Sequence, residues 1–156
     1  HKLADNILAS AQDAEECVND AYLGTWNAIP PQRPDPLLPF VCVLARRYSI
    51  MRYRANTAMK RNSSYDACME EIENCIAAPG RVEDHYEAKV LARTIERFLD
   101  TLNRENRVIF MRRYWYSDSY AAIAALTGLT EKNVSVRLAR VRKQLRDYLM
   151  KQGVLT

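Results

Sequence analysis

Apolar residues recur at three- and four-residue intervals along most of the chain, which predicts helices. Leu3 to Ser10 reads as a short helix or the tail of one. Asp13 reads as the N-cap of a longer helix, with Glu15 and Glu16 in its first turn, where carboxylates complement the dipole. Ala14, Val18, Ala21/Tyr22, Thr25/Trp26 and Ile29 keep its period. Five of the six prolines lie between Pro30 and Pro39 and must end it. A third helix is predicted from about Leu38 to Lys60, with Phe40, Leu44, Tyr48 and Met51 on one side and Arg46, Arg47, Arg52 and Arg54 on the others. Positions 62–84 are polar, then acidic, then broken by Pro79 and Gly80, and read as a linker with a short helix at Tyr65–Ile76. A second helical unit begins near Glu83. Val90, Leu91, Ile95, Phe98, Leu99 and Leu102 form its first stripe; Val108, Ile109, Met111 and Tyr114 form the next, with Arg107, Arg112 and Arg113 read as outward.

The stretch from Tyr120 to Leu145 reads as two helices with Gly128 between them. Ile123 faces the core, and Ala124 is small enough for a close helix crossing. Gly128 suits the left-handed residue that closes a helix, and Leu129 plugs the corner. Thr130 caps the next helix, whose buried stripe is Val134, Leu138, Val141, Leu145 and Leu149. Lys132, Val136, Ala139, Arg140 and Lys143 lie on the opposite face, flanked by Asn133, Ser135 and Arg137. This is a helix-turn-helix, and such a second helix fits a DNA major groove about 12 Å wide. Lys132, Asn133 and Arg137 are expected at base edges and Val136 at a thymine methyl. Arg140, Arg142, Lys143 and Arg146 are expected on phosphates.

Charge supports this picture more than composition does. The 156 residues carry a net charge of only +4, but the sign is patterned. Positions 44–61 hold six basic residues and no acid, and positions 104–156 hold eleven basic against four acidic. Two basic zones suggest two contacts with a polyanion. Positions 1–43 hold six acids against two basic residues, suggesting a partner of the other sign or a solvated face. The four cysteines form no CxxC pair and, with only His1 and His85 beside them, predict no metal site; reduced thiols are expected, with a Cys68–Cys75 pair as the alternative. No apolar run is long enough to span a bilayer, so no membrane insertion is expected and a cytoplasmic setting is. No nucleophile constellation and no phosphate-cradling glycine loop is visible, so neither catalysis nor a cofactor is expected. The chain opens with His1, not Met, as a trimmed N-terminus would.

Three segments carry a resemblance. "DAEECVNDAYLGTWNAIPP" is similar to a region 2 helix of sigma-70-type sigma factors, and "FVCVLARRYSIMRYRANTAMKR" resembles the region 2 helix that follows. "LNRENRVIFMRRYWYSDSYAAIAALTGLTEKNVSVRLARVRKQLRDYL" resembles region 4. Region 2 followed by region 4 with only a linker is the layout of the extracytoplasmic-function group. The resemblance implies an all-α protein: region 2 over 1–61, partial at its N-terminus, a flexible linker over 62–84, and region 4 over 85–156. It implies binding to core RNA polymerase, through the β′ clamp helices and the β flap, and to promoter DNA. Asp13, Glu16, Asn19 and Asp20 would face the clamp helices, with Trp26 in the core. The loop Gln32–Pro39 with Arg46, Arg47, Arg52, Tyr53 and Arg54 would recognise and help melt the minus-10 element, while Tyr48 packs. The helix opening at Thr130 would read the minus-35 element. Members of the group are often held by an anti-sigma protein. Arg47 stands where the family usually has Asn, and Met51 where it often has Asp. Two rivals remain: a stand-alone helix-turn-helix regulator, and a metal-dependent nucleic-acid enzyme using Asp13, Glu16 and Asp20.

Overall fold

The computed structural model describes residues 1–56, 64–76 and 85–155, all helix and connecting turn without a strand among them. The predicted ends at positions 57–60 and 83–84 lie outside the described residues. The chain divides into two compact units, His1–Ala67 and Cys68–Thr156.

In the first unit, α1 (Lys2–Ile7), α2 (Ala11–Ala28) and α3 (Leu37–Asn56) pack on one another. Leu3, Ala4, Ile7 and Leu8 are buried with Ala14, Cys17, Val18 and Ala21 of α2 and Ala45 of α3. Small residues dominate this core, so the helices approach closely. At Gly24 a Cβ would come within 2.7 Å of the Tyr48 hydroxyl, which packs Tyr48 as its stripe implies. The cap of α2 is Ser10, not Asp13: the Ser10 hydroxyl accepts the Asp13 N–H at 3.2 Å, so Asp13 sits a turn inside. Trp26 is also not core. It is 81% exposed, because Thr25, one position earlier, takes the inward site and satisfies its hydroxyl on the Ala21 carbonyl at 2.7 Å. Met51 is exposed, since Ala45 and Ser49 line the buried side of α3.

The second unit begins inside α4 (Ser64–Ile76) and adds α5 (His85–Thr101), α6 (Arg104–Tyr114), α7 (Tyr120–Thr127) and α8 (Glu131–Lys151). Its core joins Cys68, Phe98, Ile109, Phe110, Tyr114, Ile123 and Ala124 to the five-residue stripe of α8. Burying each of those large side chains contributes roughly 1.5–3 kcal/mol. Asn103, Ser119 and Thr130 cap α6, α7 and α8, each accepting the N–H three residues on. Arg113 is not outward. It is 4% exposed, a position its guanidinium tolerates because it donates to the Asp118 carbonyl at 2.9 Å and to Glu71 of α4. Arg112, half-buried, pairs with the buried Asp118 at 2.5 Å. None of the four cysteines is in a disulfide. Cys68 and Cys75 share α4, seven residues and thus about 10 Å apart along the axis, too far for a disulfide.

Candidate nucleic-acid interface

The turn between α7 and α8 is built by backbone chemistry. Gly128 has φ 72° and ψ 12°, and its N–H donates to the Ala124 carbonyl at 2.9 Å. The left-handed conformation ends α7 without a Cβ penalty. Two residues later the Thr130 hydroxyl accepts the Asn133 N–H at 3.2 Å and α8 begins. Val134, Leu138, Val141, Leu145 and Leu149 are all buried. That orientation leaves Thr130, Lys132, Asn133, Val136, Arg140 and Lys143 exposed and Ser135 half-buried, one contiguous basic and polar face.

Arg137 sits at the edge of this face, with its guanidinium on the Glu105 carboxylate of α6. Arg142, expected on phosphates, turns toward the protein. Its Nη1 donates to the Tyr114 hydroxyl at 2.7 Å and to Glu71 at 3.2 Å. Arg146 stays exposed.

Glu71 is the hub of this side. Its carboxylate accepts from Arg113 at 2.6 and 3.2 Å, from the Tyr120 hydroxyl at 2.7 Å, from the Tyr114 hydroxyl at 3.1 Å and from Arg142. Burial opposes its charge, but the hydrogen bonds from Arg113, Tyr120 and Tyr114 and the Arg113 charge outweigh burial and hold the carboxyl below its ordinary range. Burial pushes the Tyr114 hydroxyl well up, against the pull of Arg142. The sequence read Glu71 as part of an acidic linker and did not single out Glu105. Neither periodicity nor spacing could have found them, because their partners lie 32 to 71 positions away.

In the first unit Arg47 and Arg54 are exposed on α3. Arg46 is half-buried; burial lowers its pKa, with Tyr65 opposing. The Tyr53 hydroxyl donates to Asp66, and its ring meets Tyr65 edge-on at 5.1 Å. Arg52 is drawn to the acidic helix, pairing with Asp13 at 3.1 Å and Glu16 at 3.0 Å, while Asn56 donates to Asp13 at 3.0 Å. Asn19 and Asp20 remain exposed, and helical spacing aligns Glu16 and Asn19 with exposed Leu23 and Trp26. Asp13 and Glu16 thus share an arginine, not an open cation site. Among the described residues no cluster of His, Cys, Asp and Glu is arranged to hold a metal, and no helix is long and apolar enough to cross a membrane.

The family model of Sigma-70 region 2 matches residues 1–59, and that of Sigma-70, region 4 matches residues 92–145. No curated protein and no solved structure matched the chain. The two matched modules fall in family order, one on α1–α3 and the other ending on the buried stripe of α8. Both are parts of initiation factors that act in promoter-directed transcription, with core RNA polymerase and promoter DNA as partners, and not of enzymes. The chain belongs to the sigma-70 family of transcription initiation factors, in its extracytoplasmic-function group.

Proposed function

We propose that this factor directs core RNA polymerase to promoters by reading a minus-35 element with α8 and opening a minus-10 element with α3. The observation that carries the reading is the exposed face of α8, where Lys132, Asn133, Val136, Arg140 and Lys143 stand free beside a capped N-terminus. A helix so presented fits the major groove, with short polar groups toward base edges and long cations toward phosphates. On α3, Arg47 and Arg54 supply exposed charge for the strand to be held open, as single-strand binding requires.

The polymerase-facing surface is α2. Asn19 and Asp20 adjoin exposed Tyr22, Leu23 and Trp26, so the surface offers apolar anchors as well as charge. Aromatic anchors beside polar groups are what tight interfaces use. The β′ clamp helices are the proposed acceptor, with the β flap receiving region 4. Transcription in vitro by core enzyme on a promoter library, with and without the chain, tests the reading. Start sites that appear only with the chain support it; identical transcripts overturn it. Replacing Trp26 by Ala together with Asp20→Lys should lower affinity for core enzyme while helical content holds. Binding to duplex DNA with no retention of core enzyme would make the chain a stand-alone helix-turn-helix regulator.

A further inference from the structure

The two matched stretches leave residues 60–91 unassigned, and Glu71 lies among them. Yet its side chain, itself on α4, bonds to three other helices of the second unit. One carboxylate gathers Arg113 and Tyr114 from α6, Tyr120 from α7 and Arg142 from α8. Cys68, one turn earlier on α4, is 1% exposed in the same core, and the Cys75 thiol, one turn later, donates to the Arg142 carbonyl at 3.0 Å. The C-terminal half of α4 is therefore seated over three successive turns.

The chemistry is specific to a carboxylate. Arg113 and Arg142 both aim cationic N–H groups at one place, and both tyrosine hydroxyls donate there. Such a cluster needs an anion with two oxygens, each able to accept several bonds. Arg113 additionally stacks on the Tyr120 ring at 4.5 Å. Removing the anion would leave a buried arginine uncompensated and loosen α8 against both helices that aim it.

We infer that the C-terminal half of α4 is a working part of the promoter-reading module, and that Glu71 is the positioning residue that fixes α8 against α6 and α7. The inference rests on the assignment of α8 as the minus-35 reader. Glu71 touches no base in this scheme; it holds the helix whose opposite face does. A reading helix must be held to within about half an ångström for direct base contacts to discriminate.

The test uses the full chain and its holoenzyme. Affinity for a duplex carrying the selected minus-35 sequence is divided by affinity for a random duplex, well below the melting temperature of each variant. Glu71→Gln removes the charge and one accepting oxygen while keeping size, and should lower that ratio roughly tenfold, mainly through loss on the selected duplex. Tyr120→Phe removes one hydrogen bond and leaves the fold intact; it should lower the ratio less, in the same direction. A lower melting temperature with an unchanged ratio for both variants would make Glu71 a packing residue only and overturn the proposal. Wild-type chain that prefers no sequence and starts no transcript would instead overturn the promoter-reading function, and this inference with it.

Discussion

Arg137 stands where the exposed face of α8 meets the protein, and its partner Glu105 gives it a fixed direction at the start of the helix. An arginine held by a carboxylate loses less freedom on docking to a base edge than one that waggles in solvent. Arg137→Ala should therefore weaken binding to the selected minus-35 duplex by about 1–3 kcal/mol and relax preference at one or two base pairs. Titration of both duplexes decides the role: an equal fall on random DNA would mark a phosphate contact. Gly128 presents a different single-residue question. Its φ of 72° is unfavourable for a side chain, although no atom lies within 4 Å of where a Cβ would stand. Gly128→Ala should cost about 1 kcal/mol in urea unfolding through backbone strain alone. Gly128→Asn should cost less, since asparagine tolerates that conformation.

Helix pairs follow the same logic at larger scale. α2 and α3 approach across Gly24, where the Tyr48 ring fills the space a side chain would need. Gly24→Ala should destabilise the first unit by forcing Tyr48 aside, at about 1–3 kcal/mol. Adding Tyr48→Phe should recover much of that loss in thermal melts, because the closest atom is the hydroxyl. No recovery would mean the two backbones themselves collide. Elements of this kind were legible where one period dominates. The stripe of α8, the glycine turn and the Thr130 cap could all be read from spacing, because buried aliphatics and backbone conformation leave local signatures. Trp26 was misread because it and Thr25 occupy adjacent places on the wheel, and the short β-branched residue fits the close packing of α2. Arg113 was misread because charge usually points outward, and the anion that lets it point inward sits 42 positions earlier. The pairing of Arg52 with Asp13 and Glu16 is equally invisible, since the partners lie 39 and 36 positions apart and the family resemblance implies a different role for each side.

Over the whole molecule, the Glu71 network is an acid-sensitive feature. Its carboxyl is depressed from an ordinary 4.5, so its contribution is fully present above that value and is lost as pH falls through the folded-state pKa. Melting temperatures followed from about pH 7 down to about pH 3 should fall more steeply for the wild type than for Glu71→Gln, with the curves converging at the acid end. Parallel curves would show that other carboxylates govern acid unfolding. The location of Glu71 also bears on how hybrids of this factor must be spliced. A chimera joined at residue 92, where the matched C-terminal module starts, would discard the anion beneath Arg113 and Arg142 and inherit a destabilised reader. A graft that carries the native sequence from Cys68 onward transplants the reader with its own counter-charge.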